Sequence, residues 1–345
     1  MQQQTDIKSF SEKALTEWLN RGGVEPYRAG QILRWIYHRH STSFDEMTDL
    51  STPLRRRLAE ELTIGRLETM QVAQSHDGSS KYLFKLDDGH CIESVLIPEK
   101  SHWTLCISSQ VGCAYGCRFC LTGRGGLVRN LTSAEIINQV WEIRKGLQGG
   151  MRLTNIVLMG MGEPLANYDN VLAALQILTA NNGFQFSNRK ITISTAGLVP
   201  RIEQLGRDIT VNLAVSLNAA DNEKRDYLMP INRKYPLEAL MNACKVFPLP
   251  NRRMITFEYI LIDGINDSPE EARHLAKILR PLRAKINLIP FNPFKESDFK
   301  RPPESVILAF QKILVDRHYT VRIRFSKGTD ISAACGQLRR REANT

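Results

Sequence analysis

Apolar positions along the first 63 residues recur at helical spacing. In SFSEKALTEWLNRGG, Leu15, Trp18 and Leu19 fall on one face, and Gly22-Gly23 ends the run. YRAGQILRWIYHR repeats the pattern with Ile32, Trp35 and Ile36, and Ser51-Thr52-Pro53 opens a third helix, LRRRLAEEL. From residue 66 the period drops to two. KYLFKLDDGHCIESVLIP alternates on both sides of Asp88-Gly89, which predicts a β-hairpin.

After residue 104 short apolar runs alternate with amphipathic stretches. The predicted strands are TLCIS, NIVLM, KITIS, TVNLAVSL, ITFEYILI and INLIPF. The predicted helices between and after them are SAEIINQVWEIRKG, YDNVLAALQILTA, PRIEQLG, LEALMNACKVF, PEEARHLAKILRPL and ESVILAFQKILVDRH. YTVRIRF is a further extended stretch. Six β–α units imply an α/β fold with a parallel sheet, a partial (β/α)6 barrel rather than a closed barrel of eight. The expected division is a helical accessory module over 1–63, a β extension over 64–103, the barrel over 104–335 and a tail over 336–345.

Composition narrows the class. No run approaches 18 apolar residues, and MQQQTDIKSF lacks an apolar signal region, so a cytoplasmic chain is expected, away from membranes. The 345 residues carry a net charge of +10. Residues 1–64 balance at nine basic and nine acidic side chains. Residues 101–160 hold six basic against two acidic, and residues 285–345 twelve against six. Such local excess suits a polyanion at the mouth of a site, and equally a solvated surface.

Seven cysteines are an odd number for a disulfide framework. Three crowd into Cys113-Ala-Tyr-Gly-Cys117-Arg-Phe-Cys120, between Gly112 and the next helix. Three thiolates after the first barrel strand can hold three irons of a cubane and leave the fourth open, whereas electron-transfer clusters take four. The spacing also leaves open a zinc site with Cys106 or Cys91 as fourth ligand. Gly160-Met-Gly162-Glu163-Pro164 follows NIVLM, where glycines let a ligand approach the backbone and Glu163 can accept from an ammonium. Ser194, Ser216, Asn218 and Asn292 fall at carboxyl ends of predicted strands, the face where such barrels place their sites. Cys335 lies among small residues in DISAACGQL. Cys91 and Cys244 read as packing.

These motifs together resemble the radical S-adenosylmethionine superfamily, and within it the RlmN/Cfr family of RNA adenosine methyltransferases. LCISSQVGCAYGCRFCLTG, MGMGEPLAN, LMPINRKYP, INLIPFNPF and DISAACGQL carry the resemblance over nearly the whole chain, in order. It implies a [4Fe–4S] cluster on Cys113, Cys117 and Cys120, and two equivalents of S-adenosylmethionine contacted by Gly162, Glu163, Ser194, Ser216, Leu217, Asn218 and Asn292. It implies that Cys335 carries a methyl group as S-methylcysteine, that Cys106 resolves the product through a transient disulfide, and that Glu93 accepts a proton. Asn218 stands where the family commonly has histidine, which removes a titrating group there. Val111 and Pro164 resemble the C2-methylating branch; C8-methylating relatives tend to have Cys and Ala at these places. The implied partners are 23S rRNA, tRNA and a reducing electron donor such as flavodoxin, with the enzyme a monomer.

Overall fold

The computed structural model describes residues 4–147, 150–295, 297–339 and, for backbone only, 341–342. The accessory helices form where the periodicity placed them. Strand β1 (Thr5–Asp6) pairs in parallel with β2 (Leu62–Thr63) and brackets α1 (Glu12–Arg21), α2 (Arg28–Tyr37) and α3 (Thr52–Glu61). Ser11 and Ser51 cap α1 and α3 by accepting from Ala14 and Leu54 N–H groups, which fixes where each helix starts. Leu15, Leu19, Ile32, Ile36 and Leu58 are buried. They belong to the same apolar core as the barrel.

The β extension has one strand more than the hairpin. Strands β3 (Glu68–Gln74), β4 (Ser80–Lys85) and β5 (His90–Pro98) run antiparallel, and β5 continues the sheet onto β6 (His102–Cys106). Strand β3 is exposed along most of its length, so its apolar alternation is faint. A short antiparallel pair, β7 (Gln110–Gly112) and β8 (Leu127–Asn130), follows β6 and encloses the cysteine loop and helix α4 (Leu121–Arg124). Gly112 has φ +80°, and a Cβ there would meet the Gly126 carbonyl oxygen at 1.9 Å, so the loop can start this tightly only on glycine.

The β/α units then run α5 (Ser133–Gly146), β9 (Arg152–Leu158), α6 (Tyr168–Thr179), β10 (Ile191–Thr195), α7 (Val199–Asp208), β11 (Asn212–Ser216), α8 (Asn222–Leu228), α9 (Leu237–Val246), β12 (Ile255–Leu261), α10 (Pro269–Leu279), β13 (Ala284–Pro290), α11 (Glu304–Val315) and β14 (Thr320–Ile323). Strands β6 and β9–β14 are parallel neighbours in that order, as expected of a radical S-adenosylmethionine half-barrel. Strand β15 (Arg341–Glu342) adds to β5. Among the described residues no helix is long and apolar enough to cross a membrane.

Residues 324–339 form a strap from β14 back to the β extension. Gly328 N donates to Asp77 Oδ2 at 2.7 Å, Ser75 Oγ to Asp330 Oδ1 at 2.6 Å, and Lys81 Nζ to the Ser332 carbonyl at 3.1 Å. Of the segment expected as a tail, residues 336–338 pack inward; Leu121 N–H donates to the Gly336 carbonyl at 2.7 Å and Thr122 Oγ1 to that of Leu338 at 2.5 Å. Arg340 and residues 343–345 lie outside the described residues.

One buried cation joins the accessory module to the barrel. Lys8 Nζ donates to the Gly65 carbonyl and to Asn138 Oδ1 on α5, each at 2.5 Å, and sits 4.3 Å from the Trp141 ring centroid. Burial pulls its pKa down to about 8, with Asp6 opposing. Above that pH the folded chain has lost a proton that the unfolded chain still binds, so stability rises with pH from about 8 towards the ordinary lysine range. Urea unfolding of wild type should therefore gain, relative to Lys8→Met, on the order of 2–3 kcal/mol between pH 7.5 and pH 10. Parallel pH profiles for the two proteins would refute this.

Candidate active site

The three clustered cysteines lie on the loop between β7 and α4. Cys120 N–H donates to the Cys117 carbonyl at 3.1 Å, and Arg118 N–H to the Leu228 carbonyl at 3.0 Å, which docks the loop on α8. Phe119 packs with Leu228, Met229 and Phe291 in a small apolar cluster that Cys117 and Cys120 also touch. The thiols of Cys113, Cys117 and Cys120 are partly accessible. Burial pushes all three pKa values up, that of Cys113 to about 12; Cys120 adds to the rise at Cys113 and Cys117. Charges on the three thiols are thus within electrostatic reach of one another. Yet among the described residues no three His, Cys, Asp or Glu side chains converge as around a single ion. A cubane takes one thiolate per iron, and this soft three-thiol set on one loop fits it.

The glycine motif after β9 reaches the same end of the barrel. Gly162 has φ +102°, and a Cβ would come within 2.6 Å of Gln110 Cβ. Gln110 Oε1 accepts from Glu163 N–H at 2.8 Å. The Glu163 carboxyl is buried; Oε1 accepts from Leu165 N–H at 3.1 Å and Oε2 from Ala196 N–H at 2.7 Å. Burial raises its pKa to about 7 against these hydrogen bonds. Ser194 lies on β10 and Ser216 ends β11, both partly buried.

Asn218 is engaged in structure. It adopts φ +59°, a conformation asparagine tolerates better than most residues. Its Oδ1 accepts from Ile260 N–H at 2.8 Å, and its Nδ2 donates to Met229 Sδ at 3.2 Å. Its side chain thus ties β11 to β12, a task that needs no titrating group. Asn292 Nδ2 donates to Ser326 Oγ at 2.8 Å and to the Cys335 carbonyl at 3.1 Å, so it holds the strap.

Cys106, at the end of β6, is buried; burial raises its pKa first and the charge of Cys335 second. Cys335 rides on the strap and lines the barrel lumen, accessible to solvent there. The surrounding walls still push its thiol up to about 11; Glu258 and Cys120 add to the rise and Arg324 opposes it. Two thiols 229 residues apart in sequence thereby come within electrostatic reach of each other, and Cys335 within that of Cys120. Cys91 and Cys244 are buried away in the core.

Glu93 is not an exposed strand carboxylate. It is fully buried on β5, with Lys81 Nζ 3.2 Å from Oε1, and its Oε2 accepts from Arg339 N–H at 3.0 Å. Both partners lie beside the strap that carries Cys335.

Sequence reasoning passed over Arg225. This α8 residue is fully buried, and its guanidinium donates from Nε to the Leu217 carbonyl at 3.0 Å, from Nη1 to Asn232 Oδ1 at 2.9 Å, and from Nη2 to the carbonyls of Ala196 and Ser216 at 2.7 and 3.3 Å. It therefore braces the ends of β10 and β11. The available signal was its place between AVSLN and LMPINR, where each flanking motif ends at the site.

Residues 5–64 match the ribosomal RNA large subunit methyltransferase N-terminal domain, and residues 107–276 the radical SAM superfamily. The dual-specificity RNA methyltransferase RlmN of Desulfosudis oleivorans is 57% identical over 334 residues, covering 96% of this chain and 90% of that protein. The protein of the same name from Geobacter sulfurreducens is 55% identical, covering 97% and 92%. The crystal structure of a radical SAM methyltransferase from Sphaerobacter thermophilus superposes with a TM-score of 0.90 at 43% identity, covering 97% of this chain and 99% of that one.

Proposed function

Because this chain belongs to the RlmN family of dual-specificity RNA methyltransferases, within the radical S-adenosylmethionine superfamily, we propose that it methylates C2 of an adenosine in 23S rRNA, in the peptidyl-transferase region, and of the adenosine beside the tRNA anticodon. The observation that carries the reading is that Cys335, on the strap, lines the lumen and acts electrostatically on Cys106 at the end of β6, and is itself acted on by Cys120. Unlike a thiol, the adenine C2 is not nucleophilic, so a methyl group cannot pass to it directly from a sulfonium.

Cys113, Cys117 and Cys120 would hold the [4Fe–4S] cluster, which when bound supplies the electron that splits S-adenosylmethionine and yields a 5′-deoxyadenosyl radical. Gly162, Glu163, Ser194, Ser216, Leu217, Asn218 and Asn292 frame the cofactor: Glu163 receives its ammonium, and Asn218 and Asn292 act mainly by holding strand ends and strap. Cys335 takes a methyl group from a first S-adenosylmethionine as thiolate, with Arg324 offsetting part of the rise that burial imposes on its pKa. The S-methyl carbon of Cys335, once stripped of a hydrogen atom, bonds to C2 and links protein to RNA, and the one electron that the adduct must lose would return to the cluster that Cys113, Cys117 and Cys120 would hold. Glu93 receives the C2 proton, with Lys81 balancing the buried carboxylate's charge before that transfer. Cys106 then attacks the Cys335 sulfur, freeing methylated RNA and leaving a disulfide. A reducing cytoplasm resets the pair, and an electron donor such as flavodoxin would supply the electron that the cluster uses.

The accessory module and the basic segment 285–345 are the proposed RNA contacts. Within the Arg55–Arg57 run, Arg55 and Arg57 already bond the Asp45 and Gly22 carbonyls, so Arg56 is the member available to phosphate. After anaerobic reconstitution the protein should be brown and, given rRNA, should yield 2-methyladenosine as the main modified nucleoside by mass spectrometry. Predominant 8-methyladenosine would overturn the C2 assignment.

A further inference from the structure

A band of polar and charged side chains faces the barrel lumen, among apolar ones such as Val157, Met159 and Ile289. Thr256, Glu258, Lys285, Asn287, Arg322 and Arg324 line a cavity of about 620 Å³ with Cys335 on its wall. Strand register sets Ser216 beside Glu258, Glu258 beside Asn287, and Asn287 beside Arg322, one row across four strands. Asn287 Nδ2 donates to Glu258 Oε1 at 2.8 Å, which fixes the carboxyl in place.

The methyl group on Cys335 must touch the ring it modifies, and the space Cys335 faces is this lumen. We infer that the target adenine enters the lumen and that Glu258, positioned by Asn287, accepts a hydrogen bond from its N6 amine. An ionised carboxylate only accepts. Adenine offers a donor at this corner of its edge, whereas guanine offers the O6 acceptor, which a carboxylate repels. The N6 and C2 substituents occupy separate corners of the six-membered ring, so a grip on the amine leaves C2 free for Cys335. Lys285, Arg322 and Arg324 supply cations for the flanking phosphates, and Phe325, 59% exposed beside Arg324, offers a stacking face for a neighbouring base. The inference rests on the adenosine methylation proposed above.

The test gives the reconstituted holoenzyme RNA hairpins with adenosine or purine riboside, which lacks only the amine, at the target position. Wild type should prefer adenosine by roughly 10- to 100-fold in kcat/KM, the worth of a hydrogen bond to a charged group. Glu258→Ala should nearly erase that preference, and Glu258→Gln, which keeps the shape and one acceptor, should fall between. Methyl loading of Cys335 without RNA, read by intact-protein mass, should persist in both variants. An undiminished preference in both would overturn the role of Glu258. Loss of methyl loading would also overturn it, assigning the carboxylate to the ribose hydroxyls of S-adenosylmethionine instead. If wild type loads its methyl group yet modifies neither RNA, the adenosine reading itself fails, and this inference with it.

Discussion

Cys106→Ala enzyme is expected to stop after one turnover, joined covalently to its RNA through Cys335, and to run on a denaturing gel as a protein–RNA species. Cys335→Ala enzyme should form no such species and take up no methyl group. The contrast follows from where the two thiols sit. Cys335 is on the strap, accessible from the lumen, and can meet both a methyl donor and a base. Cys106 is buried at the end of β6, close enough for the Cys335 charge to act on it, but closed to RNA. Only the accessible thiol can bond to the base, and only the buried neighbour can release it. Multiple turnovers by Cys106→Ala protein would remove the two-thiol scheme. Alanine at either position should cost activity far more than stability, since neither thiol holds a network.

The fold was readable where burial is periodic. Helices α1–α3 and the barrel strands each carry an apolar repeat strong enough to mark them. Strand β3 was not, because nearly all its side chains face solvent and alternation needs one buried face. The pair β7–β8 was hidden for another reason: Gln110–Gly112 is fully buried and only three residues long, so it has no period to read. The site divided in the same way. Cysteine spacing and strand-end motifs are local signals, and they carried the proposed thiols and cofactor contacts. Glu93 was visible only as a strand carboxylate, since its partners Lys81 and Arg339 are contributed by β4 and the strap. Asn218 looked like a cofactor contact from its position, and the hydrogen bonds that engage its side chain come from β12 and the end of α8. Bonds across 42 or 246 residues leave no mark at the residue itself.

Arg225→Met protein, prepared free of metal, should be less stable to urea than wild type by about 2–3 kcal/mol, the order expected when buried acceptors lose a charged donor. Methionine fills much of the volume, so the loss reports the four hydrogen bonds more than a cavity. Without the guanidinium, the carbonyls of Ala196, Ser216 and Leu217 lose a buried donor where three chain segments converge. Lysine should restore little, because a compact ammonium cannot reproduce the planar fork that serves Leu217, Asn232 and Ala196 at once. Burial lowers the Arg225 pKa to about 10, with Cys117, Cys244 and Asp226 opposing. Metal-free protein is the right material, because any change in iron content then cannot masquerade as a folding effect. A Met variant within about 1 kcal/mol of wild type would mean that the strand ends hold themselves, and that the brace belongs to the cofactor rather than to the fold.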